Sequence, residues 1–199
     1  TFLFLTEKLG QFYINLIQDD VRSKILDDAP FVKDARFHPD IKCYITNSVE
    51  YSRSQKTLSS EMINWISSFK DGDVFYYIGA NIGMFSLFTA KHWNSKVKVV
   101  AFEPSFSTFT SLTMNVAINK LADKVSCFQI ALGESTRLGM FNYTSLRAGA
   151  ALHTFDTLRN YRREEFVPVF QQSILSYSLD DFIENFGIPV PTQKKLDVD

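Results

Sequence analysis

Apolar residues recur along this chain in two rhythms, and each change of rhythm marks an element. Val74-Phe-Tyr-Tyr-Ile78 is an unbroken run of strand-favouring residues that stops at Gly79. After Gly83 it gives way to Met84, Phe85, Leu87 and Phe88 at helical spacing, which predicts a strand, a tight turn and a helix over 84–92. The alternation continues with a strand over 97–102, a helix over 106–119 and a strand over 125–130. Strands and helices taking turns at this spacing predict a parallel sheet with right-handed crossovers, hence an α/β fold with flanking helices. Leu138–Tyr143 and Phe166–Ser173 then read as strands with no helix of usual length between them, which predicts an inserted β-hairpin at one end of the sheet.

Ser178-Leu-Asp-Asp181 ahead of Phe182, Ile183 and Phe186, with Gly187 beyond, predicts a capped helix. Asp180 and Asp181 therefore read as helix-start residues and not as an acid/base pair. Leu196-Asp-Val-Asp199 is expected to be a fourth parallel strand inside the sheet. Upstream, Phe12, Leu16, Val21 and Ile25 mark an amphipathic helix within 6–25. Residues 28–57 are polar and broken by Pro30 and Pro39, with a short strand candidate at 41–46, and Leu58, Met62, Trp65 and Phe69 form a helical stripe with Ser59 as its N-cap. The expected division is an N-terminal helical extension and irregular segment over 1–57 and a main domain over 58–199.

Composition narrows the class. With 199 residues, 45% hydrophobic and 22% charged, the chain is able to build one sizeable core. A net charge of −1 gives no basic footprint, so no nucleic-acid partner is expected. Cys43 and Cys127 are few and far apart, which argues for buried thiols and a reducing, cytoplasmic setting. No stretch approaches the length and apolarity of a membrane span. The chain starts without Met and stops inside a motif, and is read as a fragment incomplete at its C-terminus.

The chemistry gathers at the glycine turn. Gly79 permits a turn where a Cβ would clash, Gly83 lets the helix start approach the strand, and backbone N–H groups there are expected to suit an anionic group. Glu103 lies 24 residues after Gly79, at the expected end of the second strand. Its carboxylate there would accept hydrogen bonds from both hydroxyls of a ribose, unless it is simply a solvated strand-end acid. Asn81 replaces the middle glycine of a dinucleotide fingerprint, which favours a ligand without a pyrophosphate. Gln129, at the end of the third strand, is a candidate contact for an adenine edge or a solvated side chain. Asp197 and His153 are the candidate proton acceptors, His153 being more readily an ordinary packing or surface residue. Asp197 and Asp199 would suit a divalent cation, but no third ligand is visible and no metal is expected. Arg159–Glu165 reads as a solvated mixed-charge face or as an acceptor contact.

Ile78-Gly-Ala-Asn-Ile-Gly83, Ala101-Phe-Glu-Pro104, Asn115 with Asn119, Ala131-Leu-Gly133, Leu179-Asp-Asp-Phe-Ile183 and Lys195-Leu-Asp-Val-Asp199, taken in this order, resemble the FkbM family of S-adenosylmethionine-dependent O-methyltransferases. The resemblance spans roughly residues 50–199 and implies a Rossmann-like fold with S-adenosyl-L-methionine as cofactor. It also implies a hydroxyl on a sugar, polyketide or other small molecule as acceptor. The family usually carries an aspartate where this chain has Tyr77, and in similar methyltransferases that acid helps hold the amino group of the cofactor's methionine part. Two rival readings follow: a degenerate relative that Tyr77 has turned into an interaction module, and a nicotinamide-dependent oxidoreductase, which Asn81 disfavours.

Overall fold

The computed structural model describes residues 30–94, 96–159 and 163–197. The helix expected within 6–25 lies outside them. The chain forms strands β1 (Phe31–Asp34) and β2 (Lys42–Ile45), helices α1 (Ser48–Ser54) and α2 (Ser60–Ser67), then β3 (Val74–Ile78), α3 (Met84–His92), β4 (Lys98–Phe102), α4 (Phe106–Ile118) and β5 (Val125–Phe128). It continues through β6 (Ala131–Leu132), β7 (Arg137–Tyr143), β8 (Thr154–Phe155), β9 (Phe170–Tyr177), α5 (Leu179–Phe186) and β10 (Gln193–Leu196).

The main sheet is parallel, in the order β10-β3-β4-β5. All five residues of β3 are buried, as a strand covered on both faces requires. Alternate residues sort to the two sides. Phe75, Tyr77, Val99 and Ala101 pack with Leu87 and Leu112 of α3 and α4, whereas Val74, Tyr76, Val100 and Phe102 pack with Phe182 of α5. Helix α5 begins and ends as its sequence predicts: Ser178 Oγ accepts from Asp181 N, and Gly187 closes it at φ 61°.

The fourth strand departs from expectation. It runs over Gln193–Leu196, three residues earlier than anticipated, and it lies at an edge of the sheet among the described residues. Its register starts at Thr192, whose N–H donates to Val74 O at 2.9 Å and whose hydroxyl donates to Asp73 at 2.8 Å. The ladder ends at Asp197 N, 2.9 Å from Ile78 O, because β3 turns away at Gly79. The polar Gln193-Lys-Lys195, three of the strand's four residues, suits an edge with solvent on one side.

The inserted region is a second sheet, in the order β6-β9-β7-β8. Its antiparallel β7 and β9 pair from Arg137↔Ser176 to Tyr143↔Phe170, so the later strand of the expected hairpin lies about four residues downstream of its predicted place.

Residues from Val32 onward form one compact unit. Within it β1 and β2 make a separate two-stranded sheet, and side-chain amides tie β2 to α4. Asn119 accepts from Lys42 N at 2.8 Å and donates to Lys42 O at 2.6 Å, and Asn115 accepts from Tyr44 N at 2.6 Å and donates to Ile82 O at 2.8 Å. Four residues of helix rise about 6 Å, close to the roughly 6.6 Å spanned by two residues of strand. The two amides on one face of α4 thus match alternate residues of β2.

Candidate functional site

The register of the main sheet fixes the site. Leu196, Ile78, Phe102 and Phe128 lie side by side, so the residues that follow them, Asp197, Gly79, Glu103 and Gln129, stand at the carboxyl edge where ligands bind in open α/β sheets. A cleft of about 270 Å³ opens there. Ile78, Phe102 and Ile130 give it apolar walls, Ala150, Ala151 and His153 of the inserted region close one side, and Gly79, Asn81, Glu103 and Asp197 supply its polar edge. Gln129 is exposed and does not line it.

The turn after β3 is built from left-handed backbone, with φ of 75° at Gly79, 52° at Asn81 and 91° at Gly83. Asparagine tolerates this region better than most residues, and glycine enters it freely. Gly83 serves packing: a Cβ there would meet Leu112 Cδ1 at 2.6 Å, and Gly83 is not part of the cleft lining.

The N–H groups of the turn itself, 79–83, are bonded within the protein. Gly79 N and Ala80 N donate to Phe102 O at 2.9 and 2.8 Å, Asn81 N to Glu103 Oε2 at 2.9 Å, Ile82 N to Asn81 Oδ1 at 2.9 Å and Gly83 N to Ala80 O at 3.0 Å. Every donor of the turn is committed within the protein.

Glu103 is 6% exposed and holds the turn together. Its second oxygen accepts from Ser105 N at 3.0 Å. Burial pushes its carboxyl up to about 7, against the opposing pull of the two backbone N–H groups and of the Arg53 charge. The Asn81 side chain donates to Ala150 O at 3.0 Å, tying the turn to the loop that walls the cleft. Arg53 of α1 donates to Gly149 O of the same loop, and Gly149 N donates to Thr108 Oγ1 of α4 at 3.1 Å.

Tyr77 lies beneath the cleft, 4% exposed, its ring 5.4 Å from that of Phe85. Its hydroxyl donates to Asp197 Oδ2 at 2.8 Å. Burial first, and then the Asp197 charge, hold the phenol well above its usual range, so it remains a donor. Asp197 Oδ1 pairs with Lys195 Nζ, which lies 4.8 Å above the Phe85 ring. His153 contacts Thr144 N and Thr144 Oγ1 through Nδ1, each at 3.2 Å.

The structure therefore brings Gly79, Asn81, Glu103, His153 and Asp197 to one cleft, sets Tyr77 behind Asp197, and leaves Gly83 and Gln129 outside the lining. Asp199 lies outside the described residues, and among those described no group of three His, Cys, Asp or Glu is arranged to hold a metal ion. Nor does any helix among them have the length and apolarity to cross a membrane. Arg53 and Lys195 were not singled out by sequence. Lys195 sits in the closing motif, but nothing in the pattern around Arg53 marks it.

Solved structures with a similar course of chain include Pyrococcus horikoshii TYW2 in complex with MeSAdo, at 24% identity, TM-score 0.38, covering 52% of this chain and 37% of that one. They also include a SAM-dependent methyltransferase from Agrobacterium tumefaciens, at 8% identity, TM-score 0.36, covering 51% and 32%. A third is the complex of aTrm5 with tRNALeu, at 15% identity, TM-score 0.34, covering 50% and 27%. The chain spans about a third of the length of these structures. The last of them overturns the expectation that excluded nucleic acid as a partner, since a similar chain is seen bound to tRNA. No curated protein matches the sequence. The family model that does match is not that of FkbM. It covers residues 12–155, most of the chain, and by that match the chain belongs to the family described as Vibrio cholerae RfbT protein.

Proposed function

We propose that this chain is an S-adenosylmethionine-dependent O-methyltransferase domain whose acceptor is a hydroxyl of a sugar, polyketide or other small molecule. The observation that carries the reading is the charge of the cleft. Its lining holds two carboxylates, Glu103 and Asp197, and neither lysine nor arginine, while every N–H of the glycine turn is already bonded. Such a site supplies neither a cation nor a free turn N–H to the phosphates of a dinucleotide, and it does supply acceptors for the ribose hydroxyls of a nucleoside such as S-adenosylmethionine.

The residues fit that group. Glu103 retains lone pairs beyond the two given to Asn81 and Ser105, enough to accept ribose hydroxyls, and Phe102 and Ile130 offer apolar surface to a base. The cofactor supplies an activated methyl group for in-line displacement; the protein's part is to align the acceptor oxygen, exclude water and take up its proton. His153 is suited to the proton. Thr144 N donates to its Nδ1 at 3.2 Å, which fixes the orientation of the ring beside the cleft.

Isothermal titration of the full chain separates the readings. S-adenosylmethionine and S-adenosylhomocysteine are expected to bind and NAD not to. Binding of NAD without S-adenosylmethionine would make the oxidoreductase reading the better one, and binding of neither would favour an interaction module.

A further inference from the structure

We infer that Asp197 receives a primary ammonium group in the cleft, with Tyr77 as its positioning residue. This rests on the methyltransferase reading and specifies which end of the cofactor meets which wall. Lys195 pairs with Tyr77 and Leu196 with Ile78 across the ladder, which sets Asp197 level with Gly79 at the carboxyl edge. The Asp197 side chain is 40% exposed there and lines the cleft.

A carboxylate offers about four acceptor positions. In Asp197 one is used by the Tyr77 hydroxyl and one by Lys195 Nζ, one on each oxygen. The remaining capacity fits an ammonium, which brings three donors and no acceptor. Tyr77 has no direct access to a ligand, being 4% exposed, and it lies outside the cleft lining. Its ring is held by Phe75 and Phe85, and its hydroxyl fixes the orientation of the carboxylate. Lys195, with 14% of its side chain exposed and its Nζ over the Phe85 ring, balances the charge of Asp197 from behind.

The test compares two ligands that differ by one group: S-adenosylhomocysteine and its deaminated counterpart S-adenosyl-4-thiobutyrate, titrated into the full chain. The native protein is expected to favour the amine-bearing ligand by about tenfold or more, as a charge-assisted contact implies. Asp197→Asn should bring that ratio close to one while leaving the deaminated ligand's affinity within about twofold. Tyr77→Phe should lower the ratio by a few fold, with thermal melting confirming that both variants are folded. A native ratio near one, or an Asp197→Asn variant that keeps the ratio, overturns the proposal. Loss of methyl transfer in Asp197→Asn with an intact ratio also overturns it, since Asp197 would then act on the acceptor proton. If the native chain binds neither nucleoside, the methyltransferase reading falls with it; if it binds both equally, only the present proposal does.

Discussion

Two carboxylates face the same cleft and are held in opposite ways. Glu103 is buried, and both its oxygens accept from backbone N–H groups, so its position is set by the turn itself. Asp197 is partly exposed, and its oxygens accept from the side chains of Tyr77 and Lys195. One acid is part of the fold, and removing it disturbs the turn as well as the ligand. The other is a fitted piece, adjustable by substitution of its neighbours.

The largest effect that would break this contrast comes from Glu103→Ala. S-adenosylmethionine affinity should fall roughly ten- to a hundredfold, about 1.5–3 kcal/mol for a carboxylate accepting two hydroxyls. The melting temperature should fall too, because Asn81 N and Ser105 N lose their acceptor. Titration and calorimetry on one sample read both quantities; unchanged affinity would remove Glu103 from the ribose contact.

A smaller effect is pH dependence. Because the Glu103 carboxyl titrates at about 7, it is protonated on the acid side and becomes the stronger acceptor above it. Affinity for S-adenosylmethionine should rise from pH 6 to pH 8 by up to about tenfold, and the rise should vanish in Glu103→Gln. Stability moves the other way. An acid whose folded value is raised above its unfolded one weighs against folding increasingly between about 4.5 and about 7, and no further beyond. Chemical denaturation at pH 5 and pH 8 should show a loss that Glu103→Gln reduces.

The smallest effect belongs to Tyr77→Phe. It keeps the ring contacts and leaves Asp197 partly solvated, so its cost in unfolding free energy should be about 0.5–1.5 kcal/mol, the net worth of one hydrogen bond. A loss above about 3 kcal/mol in urea denaturation would mean that the Asp197 corner is as built-in as the Glu103 corner.

The difference between the acids also governed what the sequence disclosed. Val74–Ile78, Gly79, Gly83 and Glu103 were legible because local patterns carry them: an apolar run, positions that need left-handed backbone, and a strand end. The strand that precedes Asp197 was displaced by three residues, because an edge strand reading Gln-Lys-Lys-Leu has neither the alternation nor the apolarity of an interior one. What Asn81 does with its side chain was hidden for another reason. Its partners, the carbonyls of Gly149 and Ala150, lie nearly seventy residues away and carry no sequence signal of their own. The turn's N–H groups were hidden differently, since their acceptors are carbonyls and side chains of the turn itself and of the end of β4, which no residue pattern marks.

Strand β2 takes its hydrogen-bond partners Asn115 and Asn119 from a helix more than seventy residues later in the chain. β1 is the strand's near neighbour in its own two-stranded sheet, whereas the amides that hold Lys42 and Tyr44 arrive only with α4, so the strand can pair locally before it docks. Docking of β2 on α4 is then expected late on the folding route, where the entropy of closing a long loop has to be met before the contacts are gained. Kinetically, a substitution at Asn115 should speed unfolding far more than it slows folding.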